Sequence, residues 1–255
     1  MVFPSKKTFL FIAVVLFICS ALYYYVYNGI KIEGMMDQGD PYPNIDIVYY
    51  INLDHREDRK HELLEELDHY QFPEHKIQRI PAIYKKTQGH LGCSMSHINA
   101  LNQFLQSNHN TCLILEDDFQ FSENVDIVQD YFRKVATEKV DFDVIMLAAA
   151  TTGNNVLDTE YPYLKKTKYA TTASGYFVNR KIATILLQNF KDGEKLLRQS
   201  YEQNYGKDGY NGSYAVDQYW FPLQEKYKWY SFFPKLGKQR KSYSDIQKGN
   251  VDYNL

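Results

Sequence analysis

Three carboxylates stand together at Glu116-Asp117-Asp118, directly after the apolar run Leu113-Ile114-Leu115. A run of that kind reads as a buried strand, so the acids fall at its carboxyl end. Like charges so placed repel one another unless a cation offsets them. Hard carboxylate oxygens suit Mn²⁺ or Mg²⁺, and such sites commonly combine one or two carboxylates with substrate phosphates. The other reading of these residues is an acidic cluster that complements a helix dipole. A second pair, Asp141 and Asp143, has the Asp-x-Asp spacing but precedes its apolar run. It falls at the end of a sheet where ligands do not bind, and it reads as a solvated strand entry.

Further groups able to do chemistry follow the same order along the chain. Asn52 closes the run Tyr50-Ile51, and Arg56 and Arg59 lie three apart at a helix start. Two guanidiniums at that spacing can face one phosphate or carboxylate, although ion pairs with Glu57 and Asp58 compete. Gly92-Cys93-Ser94-Met95-Ser96-His97 offers capping hydroxyls, an anion-favouring helix start and a histidine, a residue type able to give and take protons. A purely structural histidine is the alternative there. Val216-Asp217-Gln218-Tyr219-Trp220 sets a carboxylate beside two aromatics at another helix start, and capping is its alternative role. Near the end, Gln239 and Ser244-Asp245-Ile246 punctuate a basic stretch from Lys235 to Lys241.

The elements that must carry these groups alternate. Strands are expected at 47–51, 76–83, 111–115, 144–147, 174–178 and 229–233, and helices at 58–70, 92–105, 125–135, 180–190 and 216–227. Alternation of this kind predicts an α/β fold with a mostly parallel sheet covered by helices on both faces. Ligands then bind outside the carboxyl ends of the strands, which favours Glu116 to Asp118 over Asp141 and Asp143.

Other classes lose weight. The chain has no Gly-x-Gly-x-x-Gly, P-loop, His-Glu-x-x-His, Cys-x-x-Cys or Gly-x-Ser-x-Gly sequence. Its 29 Lys and Arg against 31 Asp and Glu give a net charge of -2, which argues against a nucleic-acid partner. Aromatics reach 16% of 255 residues, which suits a membrane interface or a sugar-facing cleft as well as a core. Three cysteines are too few for a disulfide framework; Cys93 and Cys112 either pair or sit as buried thiols.

The N-terminal segment is uncharged from Thr8 to Ile30, between Lys7 and Lys31, with Lys6 and Lys7 before it and Glu33, Asp37 and Asp40 following it. As a helix it spans about 34 Å, enough for a hydrocarbon layer, with Tyr23, Tyr24, Tyr25 and Tyr27 at one boundary. We expect a cytoplasmic tail (1–7), a transmembrane signal anchor (8–30), a stalk (31–44) and a catalytic domain (45–255) outside the cytoplasm. A cleaved signal peptide is the competing reading, but no Ala-x-Ala-like site is present.

Taken together, Tyr50-Ile51-Asn52-Leu53 with Arg56 and Arg59, Gly92-Cys93 with Ser96-His97, Leu115-Glu116-Asp117-Asp118, Gly175-Tyr176, Val216-Asp217, and Gln239 with Ser244-Asp245-Ile246 resemble glycosyltransferase family 25. The resemblance covers about residues 45 to 247, and it lies in the order and spacing of the pieces. It implies a GT-A-like (Rossmann-like) fold, inversion at the anomeric carbon, a UDP-sugar donor (most often UDP-galactose) and a Mn²⁺ or Mg²⁺ cofactor. On that basis Glu116, Asp117 and Asp118 are metal candidates. Asn52, Arg56, Arg59, Ser96 and His97 are donor-binding candidates, and Asp217 and Asp245 are candidate bases. The implied acceptor is a glycan, a glycoprotein or a collagen-like hydroxylysine, reached in a Golgi- or ER-type lumen. Two other classes remain open: a tethered carbohydrate-binding protein on an inactive transferase scaffold, and a nucleotidyltransferase, which would release pyrophosphate.

Overall fold

The computed structural model describes residues 39–151, 155–203, 210–244 and 249–251. The expected membrane anchor at 8–30 lies outside the described residues, and among the described residues no helix is long and apolar enough to cross a membrane. The chain divides at Pro41, and the unit Tyr42–Leu255 carries the fold described below. Tyr42, placed in the stalk by the sequence, is fully buried in that unit, where its ring stacks on Phe72 at 3.7 Å.

One eight-stranded sheet organises the unit, in the order β2-β1-β3-β8-β5-β9-β7-β6. The strands are β1 (Ile47–Asn52), β2 (Ile77–Pro81), β3 (Thr111–Glu116), β5 (Val144–Met146), β6 (Val156–Asp158), β7 (Leu164–Thr167), β8 (Gly175–Asn179) and β9 (Trp229–Phe232). A short β4 (Phe119–Phe121) pairs outside this sheet with β10 (Gly237–Gln239), and β11 (Ser242–Ser244) pairs with β12 (Gly249–Val251).

The main sheet is mixed rather than mostly parallel in its pairings. β1–β2, β1–β3 and β5–β9 are parallel, whereas β3–β8, β5–β8, β7–β9 and β6–β7 are antiparallel. The expectation of a parallel sheet fails because β8 runs backwards between β3 and β5. An antiparallel strand needs no crossover helix, so alternation of strands and helices does not reveal it. The Rossmann-like α/β character remains: β1, with all six residues buried, reads as a continuous apolar run.

Successive residues of the central strands point to opposite faces, and each face has its own core. Val48, Tyr50, Leu113, Leu115 and Phe177 pack with α1 (Glu57–His69) through Leu63 and Leu67, and with α3 (Val125–Thr137) through Val128, Phe132 and Val135. Ile47, Tyr49, Cys112, Ile114 and Tyr176 pack on the other side with α2 (Gly89–Gln106) and α4 (Arg180–Gln203). Helices therefore cover both faces, as expected.

Two helices differ from expectation for local reasons. α4 runs on to Gln203, past the expected end at Phe190, because Leu186, Phe190 and Leu197 keep one buried stripe and Gly193 gives room to the Tyr219 ring. The helix expected at 216–227 is instead α5 (Val216–Tyr219) and α6 (Phe221–Lys226). Pro222 lacks an N–H donor and fits only in a first helical turn, so the helix restarts there.

Candidate active site

β1 and β3 are parallel neighbours with Ile51 opposite Glu116, so their carboxyl ends lie side by side. That register brings Asn52 to the acid cluster: its Nδ2 donates to Asp117 Oδ2 at 2.8 Å, and the side chain is fully buried. Arg79 Nε donates to Asn52 Oδ1 at 3.1 Å, which fixes the amide's orientation. From the first turn of α1, Arg59 Nη1 donates to Asp117 Oδ1 at 2.9 Å and to Asp118 Oδ2 at 3.2 Å. Arg56 turns towards Asp58, but both guanidiniums also reach one oxygen, the Tyr243 carbonyl, at 3.2 Å from Arg56 and 2.8 Å from Arg59.

The opposite wall is α2. Gly92 lets the helix approach the preceding loop so closely that a Cβ there would collide with the Ile83 carbonyl. Ser96 Oγ donates to Gly92 O at 2.7 Å and accepts from the Ile83 N–H at 2.8 Å, so it ties helix to loop. His97 is fully buried between Tyr176, whose hydroxyl lies 2.8 Å from Nδ1, and Glu116, whose Oε1 lies 3.0 Å from Nε2. Cys93 Sγ donates to the same Glu116 oxygen at 3.4 Å. Between the walls is a cleft, open to solvent and lined by Arg59, Cys93, Ser96, His97, Glu116, Asp117, Asp118 and Gln239.

Past the acids the chain turns sharply. The Phe119 ring fills the space beside two glycines: a Cβ at Gly175 would lie 2.6 Å from it, and one at Gly237 closer still. This packing seats β10 against β4 and carries Gln239 to the cleft.

The electrostatics of the cluster are uneven. Burial and then the Glu116 charge push Asp118 up to about 7, which the Arg59 charge only partly opposes. Burial also raises Asp117, with Arg59 and Asn52 pulling the other way. Burial acts upward on Glu116 too, but the His97 hydrogen bond and charge, the Cys93 hydrogen bond and Arg59 outweigh it, and Glu116 lies below the usual carboxylate value. Part of the charge offset expected from a metal is thus supplied by Arg59. The residues nonetheless fit a hard divalent cation, because Asp118 Oδ1 is buried with no hydrogen-bond partner among the described residues.

Asp217 does not line the cleft. Its Oδ2 accepts the Thr172 N–H at 3.1 Å, and Thr172 has a φ of 80°, a strained value for a β-branched residue. Burial raises the Asp217 pKa, and the Glu116 charge adds to the rise, so the two acids feel one another. Asp245 lies outside the described residues. Trp220, one of the two aromatics beside Asp217, is fully buried, and its Nε1 donates to Ala170 O at 3.0 Å. It belongs to the core with Tyr176, Phe190 and Trp229. Tyr84 and Lys85, in the loop before α2, line the cleft without any sequence signal, since loop residues carry no periodicity.

Residues 82–197 match the sequence profile of glycosyltransferase family 25 (LPS biosynthesis protein), so the family resemblance read from the sequence is borne out over that stretch. The family is one of glycosyltransferases, and glycosyl transfer is the activity class this match supports. No curated protein matches the chain. Among solved structures, it is similar to a glycosyltransferase involved in glycosylation of the major capsid of PBCV-1, at 12% identity and a TM-score of 0.41 over 79% of this chain and 96% of that one. It is also similar to the glycosyltransferase GlyE of Streptococcus pneumoniae TIGR4, at 9% identity and a TM-score of 0.40 over 74% of this chain and 45% of that one. A third is mannose-1-phosphate geranyltransferase of Thermus thermophilus, at 7% identity and a TM-score of 0.43 over 80% of this chain and 76% of that one.

Proposed function

We propose that the chain is a GT-A-like, metal-dependent inverting transferase that moves a hexose, galactose first among candidates, from a UDP-sugar to a glycan or a hydroxylysine-type protein acceptor. The observation that carries this is the Asp117–Asp118 pair at the end of β3, with one buried Asp118 oxygen unsatisfied among the described residues and Arg59 beside it in an open cleft. Asp118 with Asp117 or Glu116 would hold Mn²⁺ or Mg²⁺. When bound, the ion supplies positive charge against the departing diphosphate, which is worth several kcal/mol. Arg59, Arg56 and Asn52 bind the nucleotide, and the shared reach of the two guanidiniums to one oxygen supports that role. Ser96 and His97 form the donor wall. Asp217, which feels the Glu116 charge although it stands outside the cleft lining, is the first candidate to take the acceptor hydroxyl proton, and the upward shift that burial gives its pKa makes its carboxylate a stronger base. Asp245 is the second candidate base. Segment 8–30 anchors the chain as a type II membrane protein with the catalytic domain in a lumen.

The test is a screen of sugar nucleotides by UDP release from the full chain, with and without Mn²⁺. Release that needs Mn²⁺ supports the proposal, and pyrophosphate in place of UDP points to a nucleotidyltransferase. Asp217→Asn should lower transfer by about 10²–10⁴-fold while UDP still binds. Full activity in that variant removes Asp217 from the reaction. One observation favours a second reading, a tethered carbohydrate-binding protein: Arg59 already offsets the acids. Glycan binding with no turnover of any donor would support it.

A further inference from the structure

We propose that Cys93, His97 and Glu116 form a second metal site, suited to a thiophilic cation such as Zn²⁺ and separate from the oxygen donors of Asp117 and Asp118. One ligand atom from each, sulfur, ring nitrogen and carboxylate oxygen, lies within 4.8 Å of the other two. Cys93 and His97 are four residues apart on α2 and so share one face of the helix. Glu116 arrives from β3, so two rigid elements hold the three donors.

The spacings from Glu116 to the other two donors are already close to those of a tetrahedral ion. Bond lengths of about 2.3 Å to sulfur and about 2.1 Å to nitrogen or oxygen put tetrahedral partners about 3.6 Å and about 3.4 Å apart. Sγ to Oε1 is 3.4 Å and Nε2 to Oε1 is 3.0 Å, so these two pairs need to open by only a few tenths of an ångström, and the sulfur lies within 4.8 Å of the ring nitrogen. All three residues line the cleft, which supplies an entry path and leaves the fourth position to water. A thiolate with an imidazole selects Zn²⁺ over Mg²⁺ or Mn²⁺.

The support expected around a metal-bound histidine is also present. A ligating ring donates its second N–H to a fixed acceptor, and the buried Tyr176 hydroxyl stands 2.8 Å from Nδ1. Without the ion, Nε2 of His97 faces Glu116 and Nδ1 faces the Tyr176 hydroxyl. On binding, Nε2 gives its lone pair to the metal, and the N–H at Nδ1 donates to the Tyr176 oxygen. Cys93 binds as the thiolate and gives up its thiol proton to water. The site does not depend on the proposed transferase activity. Where that activity holds, Zn²⁺ draws Glu116 away from the hard-cation acids and opposes Mn²⁺.

The test uses Co²⁺ as a spectroscopic probe on the full chain without donor. One Co²⁺ per chain, with thiolate-to-cobalt charge-transfer absorption, is expected. Cys93→Ser should abolish that absorption, and Tyr176→Phe should weaken binding about tenfold while keeping all three ligands. Asp118→Asn should leave the absorption intact. Zn²⁺ should also protect Cys93 of the unmodified chain from alkylation, a readout that needs no variant to fold. No absorption, absorption that survives Cys93→Ser, or alkylation unaffected by Zn²⁺ would overturn the site, whether or not UDP is released in the transferase screen.

Discussion

Two acidic clusters sit at opposite ends of the same sheet and have opposite physical characters. Asp141, before β5, is 61% exposed and meets the ammonium groups of Lys181 and Lys228. Asp143 is buried, but its Oδ2 accepts the Lys228 N–H at 2.8 Å, so it closes a strand end and is not simply solvated. Asp118, after β3, is 12% exposed at its side chain, shares Arg59 with Asp117 and leaves one oxygen without a partner among the described residues. The literal Asp-x-Asp spacing belongs to the satisfied, exposed end. The cluster with unspent bonding capacity is the one whose strand ends in a cleft. Position on the sheet and burial therefore identify the candidate site better than spacing does.

The contrast can be broken from the arginine side first. Arg59→Met should destabilise the fold by about 3–5 kcal/mol in denaturant titration, because it leaves buried acids without their partner. A loss under about 1 kcal/mol would mean that the cluster is not held by this ion pair. Next in size, Asp118→Asn should lower UDP release about 10²–10³-fold, whereas Asp141→Asn should stay within about twofold. Equal losses in the two variants would erase the distinction between the ends of the sheet.

pH sharpens the same contrast. Asp118 keeps its proton in the fold up to about 7, whereas an ordinary carboxylate loses it near 3.8. The folded chain then binds more protons than the unfolded one, so this group's stabilising contribution is full below 3.8 and is lost as pH rises towards about 7. Asp141 has the opposite sign: its Lys181 and Lys228 hydrogen bonds lower it to about 2, and its contribution is lost as pH falls through that value. Unfolding followed against pH in the presence of a chelator should show stability declining between 4 and 7, and Asp118→Asn should flatten that decline. An unchanged slope in the variant would assign the effect elsewhere. The smallest expected effect is Lys181→Met, below about 1 kcal/mol in thermal or denaturant unfolding, since exposed pairs contribute little.

Much of this frame is legible in the sequence, for identifiable reasons. β1 and β3 are buried on both faces and read as unbroken apolar runs; α3 declares itself through Val128, Phe132 and Val135. The location of Glu116 to Asp118 at a strand's carboxyl end follows from the same run. What is hidden depends on pairing across long sequence distances. β7 is four residues long with Lys165 and Lys166 between its buried ends, and β10 is three, too short for any period to register. Nothing in Arg56 or Arg59 foretells which of them turns inward, because the acids that decide it lie nearly sixty residues away. His97 and Cys93 are visible as a helical pair, but Glu116 joins them only through the fold.

Phe119 sits immediately after the last acid, and its ring is lodged where two glycines have no side chain. It works as a pin through a hinge plate: the ring fixes the bend that aims Asp118, and the plate is cut to its outline on both sides. Size at positions 119, 175 and 237 is therefore one shared quantity. Adding even a methyl group at either glycine obliges the phenyl group to shrink in the same step, or the acid turn loses its aim.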